Sequence, residues 1–225
     1  MTSAIVVVGD FNPAIFSPDW LERNSLIGGG DASVAREGSQ GRQSLVSHQL
    51  TNFESNWFTL QVLENQFSLT SKGVLTPALK DLAAGIFQLV SHTPVKALGL
   101  NFIGHFKLDS QEQQHKVGDT LAPKGIWNNL YPNTYAGLDQ LTIRIQQGTR
   151  EDTIDKPVNE KRITVQPCHS FKYGISLSIN DHYNISIDND LTPAEQASAI
   201  IDEKWQSSWE DSVRVFDQIL SSTET

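Results

Sequence analysis

The tetrapeptide Leu75-Thr76-Pro77-Ala78 recurs as Leu191-Thr192-Pro193-Ala194, 116 positions later, and each copy opens an amphipathic run. Each is also preceded by an alternating apolar and polar stretch: WFTLQVLENQFSLTS from Trp57 and GISLSINDHYNISIDN from Gly174. At a spacing of 117, Phe58, Leu60 and Val62 fall on Ile175, Leu177 and Ile179; at 116, Phe67 and Leu69 fall on Tyr183 and Ile185. Both stretches therefore read as β-hairpins leading into a helix. A four-residue match alone constrains little, but in register with two matching stretches it implies an internal repeat. The expected boundaries are a first pseudo-repeat over 1–95 and a second over 96–225, together forming one compact domain.

Taken in order, residues 4–11 (AIVVVGDF) have the β-branched composition of a strand. Ser17-Pro18 offers an N-cap and a first-turn proline for a short helix through Trp20–Arg23. Residues 28–44 are glycine-, serine- and charge-rich and predict a mobile loop. The runs 45–54 and 57–71 predict three strands with a turn at Glu64-Asn65-Gln66. Thr76 caps a helix with the apolar stripe Leu79, Leu82, Ala83, Ile86, Phe87 and Val90, ended by Thr93-Pro94. The second copy opens with a strand over 98–106, in which Gly104-x-Phe106 lies over Gly9-x-Phe11. A short helix over 109–116 and a connection over 118–137 with Trp127, Tyr131 and Tyr135 follow. Strands are expected at 138–147 and 161–168, an exposed turn at 148–160 and a hairpin over 174–187. Thr192-Pro193-Ala194-Glu195 is a capping box, and the helix behind it repeats apolar residues at spacings of three and four to Leu220, a length of roughly 40 Å. The fold class is α+β: one curved antiparallel sheet built from two pseudo-repeats, with the helices packed on one face.

Charge limits the partners. The net charge is −9, and from Asp181 onward ten acidic residues face only Lys204 and Arg214. Such a surface repels phosphate backbones and makes nucleic acid an unlikely partner there. No apolar run nears the ~18 residues of a membrane span, and the first residues read as a strand rather than a signal peptide. The single cysteine, Cys168, excludes an internal disulfide framework and a cysteine-rich zinc site. The expectation is a cytoplasmic protein without cofactor or metal.

No motif announces catalysis. Gly28-Gly29-Gly30 lacks the lysine and serine of a phosphate loop. The histidines 48, 92, 105, 115, 169 and 182 never adopt metal-ligand spacing. Cys168 and His169 are neighbours on a strand, where side chains alternate, so adjacency works against a nucleophile–base pair and a buried inert thiol is the expectation. Asp10 and His105 occupy equivalent points of the two copies and could meet across a pseudo-twofold axis, or be a polar pair at a strand end. Trp205 and Trp209 share one helix face, which suits either core packing or a partner interface. Asn52, Glu54, Asn56, Thr59 and Gln61, with Thr142, Arg144, Gln146, Thr164 and Gln166, line a polar sheet face open to protein or peptide recognition or simply to solvent.

The order of elements resembles the TATA-binding-protein type of duplicated fold, a likeness that carries no function. The mid-chain segment Val95, Leu98, Gly99, Leu100, Phe102, Ile103 and Phe106, with the long C-terminal amphipathic helix, resembles a sporadically distributed family of uncharacterised bacterial and archaeal proteins. The sequence departs from that pattern at Phe102, where tyrosine is usual, and in lacking an arginine before Gly99. The resemblance implies no catalytic residues; its patchy occurrence implies mobile or defence-associated genes. Together these features favour a non-catalytic protein-binding or adaptor module, with a homodimer also compatible. The alternatives are an enzyme or small-ligand binder with a site between the copies near Asp10, His105 and the 118–137 connection, and a nucleic-acid binder using Arg36, Arg42 and the sheet face.

Overall fold

The computed structural model describes residues 1–38, 44–73, 77–147, 159–186 and 190–222. Strand β1 (Thr2–Gly9) leads through a single 3-10 turn at Pro13–Ile15 into helix α1 (Pro18–Arg23). The Ser17 hydroxyl accepts from the Trp20 N–H, and Pro18 fills the first helical position, as the sequence predicts. The predicted loop over 28–44 is corrected: Gly29–Glu37 form helix α2, with Ala32 and Ala35 buried. Glycines disfavour a helix locally, but Asp31 in its first turn anchors it. The Asp31 carboxylate accepts from Ser55 Oγ at 3.0 Å, Asn56 Nδ2 at 2.9 Å and Trp57 Nε1 at 3.2 Å.

Four strands then follow where the sequence predicts three: β2 (Leu45–Val46), β3 (Leu50–Glu54), β4 (Phe58–Leu63) and β5 (Gln66–Ser71). A turn closed by Ser47 splits the first run, its N–H donating to Leu50 O at 3.0 Å and its Oγ accepting from Leu50 N–H at 3.1 Å. Helix α3 (Pro77–Leu89) buries the predicted stripe of Leu79, Leu82, Ala83, Ile86 and Phe87; its predicted cap, Thr76, lies outside the described residues.

The remaining elements are β6 (Val95–Lys107), α4 (Gln111–Leu121), α5 (Gly125–Leu130), β7 (Leu141–Gln147), β8 (Asn159–Cys168), β9 (Gly174–Asn184) and α6 (Pro193–Ser221). Most of the turn predicted over 148–160 lies outside the described residues. The capping box of α6 is present as predicted: Thr192 Oγ1 accepts from Glu195 N–H, and the Glu195 carboxylate accepts from Thr192 N–H.

The hairpin predicted over 174–187 is the second correction. Gly174–Asn184 is one uninterrupted strand, paired along its length with β6 on one side and β8 on the other. Asn180-Asp181-His182 has turn composition, yet its polar groups find partners across the sheet. Asn180 Nδ2 donates to Asn101 Oδ1 at 2.6 Å, and Asp181 pairs with Lys161 at 2.8 Å.

Among the described residues, nine strands form one antiparallel sheet in the order β2-β3-β4-β5-β1-β6-β9-β8-β7. Alternation sorts the side chains. Ile5, Val7, Leu60, Phe67, Leu98, Leu100, Phe102 and Tyr183 join Phe87 of α3 and Ile201 and Trp205 of α6 in the main core. A smaller core gathers Val117 of α4, Val165, Ile175, Leu177 and Ile179 of the strands, and Phe216 of α6. The long helix thus spans both cores. Gly9 and Gly104 each make room for a phenylalanine two residues on. A Cβ on Gly104 would lie 2.4 Å from the Phe106 ring; one on Gly9 would lie 2.4 Å from Pro94 O and 3.2 Å from Phe11.

Candidate functional site

Three surfaces could carry function. The first is the sheet face opposite α3 and α6. Register puts Asn52 beside Gln61, Glu54 beside Thr59, Thr142 beside Thr164 and Arg144 beside Arg162, all on this side. Its centre is lined by Ala4, Val6 and Val8 of β1 and by Gly99 and Asn101 of β6. Apart from the buried Gly99, these residues are half-buried or exposed, and no described helix covers them. The Asn101 and Asn180 amides lie over Gly99, where a Cβ would come within 2.7 Å of Asn180 Nδ2. Hydroxyls and amides dominate, and the acids are paired: Glu54 with Lys72 at 2.7 Å, Glu160 with Arg162 and, at 3.7 Å, with Arg144.

The second is the connection from α4 to β7. Ile126, Trp127, Leu130, Tyr131 and Tyr135 are all more than half exposed, from 53% for Trp127 to 97% for Tyr135. Scattered exposed apolar residues are ordinary; five within ten positions are a local concentration of exposed apolar side chains.

The third is a cavity of about 510 Å³ between α4, residues 137–138 and the turn joining β8 to β9. Val165, Ile175, Pro167 and Leu138 form its apolar lining, with Phe171 and Tyr173 beside them. Its polar lining includes His115, His169, Lys124, Lys172, Asp119 and Cys168. Gly118 lets α4 approach closely, since a Cβ there would sit 3.2 Å from Leu138 Cβ. Lys124 pairs with Asp119 at 2.7 Å, whereas the Lys172 ammonium lies 4.9 Å above the Tyr173 ring.

The structure separates the residues paired from sequence. β1 and β6 are antiparallel, with Gly9 opposite Val95 and Thr2 opposite Ile103. Asp10 therefore lies near the start of β6 and His105 near its end, about 33 Å apart at ~3.3 Å per residue. Equivalent points on an antiparallel central pair fall at opposite ends, so the shared site fails. Asp10 instead pairs with Lys96 at 2.8 Å. His105 Nδ1 meets the buried Cys168 Sγ at 3.6 Å, a contact between residues 63 positions apart, while the neighbouring His169 is exposed. The cavity includes Lys124 and Gly137 of the 118–137 connection, but only residues after Gln111 line it, so Asp10 and the first 95 residues have no part in it.

Trp205 is 2% exposed, its ring 5.3 Å from Phe102; Trp209 is partly buried, 5.8 Å from the same ring. Arg36, proposed for nucleic acid, is held by Asp19 and Glu22; its companion Arg42 lies outside the described residues. Among the described residues no group of three or more His, Cys, Asp or Glu side chains could hold a metal ion.

One buried charge cluster had no signal in the sequence. Lys161 of β8 lies between Asp181 of β9 and Asp211 of α6, at 2.8 and 2.5 Å. Burial pulls the Lys161 ammonium down, but the hydrogen bonds it donates to Asp181 and Asp211 outweigh it and the net shift is upward. Burial likewise pushes the Asp211 carboxyl up, and the bonds from Lys161 and Arg214 bring it below its ordinary value. Mutual pairing, not reactivity, explains both shifts.

No family model matches the chain, and no curated protein matches it. Among solved structures the chain is similar to the crystal structure of the di-domain ARO/CYC StfQ from the steffimycin biosynthetic pathway. The two share 9% identity, with 100% of this chain and 98% of that chain covered and a TM-score of 0.28. A likeness of that size carries no argument about fold or function.

Proposed function

We propose that this chain is a non-catalytic protein-binding module of the cytoplasm, and that its partner docks on the exposed apolar patch of α5 and the turn after it. The observation that carries this reading is the set Ile126, Trp127, Leu130, Tyr131 and Tyr135, exposed together on one short segment. Aromatic side chains supply large contact area at low entropic cost and dominate interface hot spots. Trp205 and Trp209 are drawn into the core, which moves the partner surface from α6 to α5. The polar sheet face would be the second contact area, and a further copy of this chain is one partner that fits the same patch.

The organisation behind the module is a duplication of 1–95 as 96–225. It is supported by the central pairing of β1 with β6, by β5 and β9 flanking that pair, and by the two Gly-x-Phe slots at Gly9 and Gly104. With β9 a single strand, only one of the two sequence alignments of the hairpins can hold; by place in the sheet β9 answers to β5.

The test is affinity capture from the native host, read by mass spectrometry, comparing the wild type with Trp127→Ala and Leu130→Asp. Both positions are exposed, so stability should change by no more than about 0.5 kcal/mol. Loss of one stoichiometric partner from both variants, with light scattering to reveal a homodimer, is the expected result. Capture unaffected by either variant refutes the α5 surface, and loss only in a sheet-face variant such as Gln61→Arg moves the site to the strands. Turnover of a small substrate by the purified chain refutes the non-catalytic reading.

A further inference from the structure

We infer that the cavity beside α4 is a binding site for a small amphipathic anion, a carboxylate carried on an apolar body. The volume of about 510 Å³ falls within the ~300–1,000 Å³ of sites that enclose small organic ligands. The lining is evenly mixed, with Val165, Ile175, Pro167 and Leu138 on one hand and the side chains of Gln114, His115, Lys124, His169 and Lys172 on the other, which suits a ligand with an apolar body and a polar end.

The sign of the charge selects the ligand. The chain as a whole carries −9, yet two lysines and one aspartate line this cavity. Asp119 is already matched by Lys124 at 2.7 Å. Lys172 has no carboxylate partner among the described residues and rests over the Tyr173 ring. It is therefore the cation left for an incoming anion, with His115 and His169 as further hydrogen-bond partners. The apolar lining takes the ligand's body, while the exposed Lys172 ammonium meets its charge at the mouth of the cavity.

Cys168 makes the site readable. It is the only cysteine of the chain and lines the cavity, its Sγ 3.6 Å from His105 Nδ1, so alkylation there reports on the cavity wall. The experiment uses the full chain and three isosteric probes: 4-phenylbutyrate, 4-phenylbutanol and 4-phenylbutylamine. Thermal shift and calorimetry measure binding, and the rate of Cys168 alkylation by iodoacetamide measures occupancy of this cavity. The butyrate should bind best, slow alkylation severalfold at saturation and raise the melting temperature; the alcohol should bind more weakly and the amine least. Lys172→Met should weaken the butyrate about tenfold, the loss of one charge-assisted contact, and leave the alcohol unchanged. Leu138→Trp should fill the cavity and abolish binding; should that variant fail to fold by circular dichroism, the Lys172 result decides. Equal or better binding of the amine refutes the anionic ligand. Binding without protection of Cys168, or no binding of any probe at millimolar concentration, refutes the site. None of these outcomes depends on the α5 patch, so the two proposals fail separately.

Discussion

Replacing Lys161 by methionine should be among the most damaging single changes in this protein. The side chain is 12% exposed and holds the Asp181 carboxylate, 7% exposed, at 2.8 Å. Asp211 shares the ammonium but is 31% exposed and also contacts Arg214, so it keeps both water and a second cation. The variant therefore leaves Asp181 as a buried charge without a cation. Breaking a buried pair in this way costs about 3–5 kcal/mol, and for a chain of this length each kcal/mol lowers the melting temperature by roughly 2–4 °C. Asp181→Asn leaves Lys161 with Asp211 and should cost less, about 1–2 kcal/mol. The double variant Lys161→Met, Asp181→Leu removes both charges and should recover most of the loss, since apolar replacement of a whole buried pair is often neutral. Urea unfolding followed by tryptophan fluorescence measures all three. The pH dependence has a defined sign. Asp211 is held below its ordinary value, so its contribution is present above about pH 4 and is lost as pH falls through the folded value. Lys161 is held above its ordinary value, so its contribution is present below about pH 10 and is lost as pH rises through the folded value. Lys161→Met should flatten both limbs. A single variant within 1 kcal/mol of wild type, or a double variant as unstable as the single, refutes the buried-cluster account.

Three other changes test the packing. Trp205→Ala should cost about 3–5 kcal/mol in the isolated chain and Trp209→Ala about half of that, by urea denaturation; equal small effects would return Trp205 to the surface. Asp31→Ala removes the acceptor of three hydrogen bonds that join α2 to the β3–β4 turn, and should cost about 1–3 kcal/mol with faster amide exchange confined to 29–37. Gly104→Ala drives a methyl into the Phe106 ring and should destabilise by about 1–3 kcal/mol, whereas the double change with Phe106→Leu should regain part of the loss; additivity of the two would refute the slot.

What the sequence discloses is local. Ser17-Pro18 and Thr192-Pro193 with Glu195 place two helix starts because each cap closes within three residues. The stripe of α3 and the alternation of β4 follow from single-element periodicity. Helix α2 is hidden because its stability comes from Ser55, Asn56 and Trp57, some 25 residues away, against a glycine-rich local signal. β9 is hidden for the same reason: Asn180 and Asp181 look like a turn until Asn101 and Lys161 are placed beside them. The same distance effect spoils the site reading. Asp10 and His105 share a position in the repeat expected from sequence, but antiparallel pairing carries them apart, and His105 meets Cys168 only where the end of β8 reaches β6.

The seam between β1 and β6 also sets the order in which this protein can assemble. Its paired residues lie roughly 90 positions apart in the chain. During synthesis β1 can be joined by β5 on one side while the backbone N–H and C=O groups of its other edge wait for residues 95–103 to leave the ribosome. An open strand edge in mid-sheet invites the same edge of another nascent chain. Closing the seam late makes folding slow by virtue of its long-range contacts. Exchange of whole halves between two molecules, with β1 of one seated on β6 of the other, is the characteristic error to which this topology is exposed.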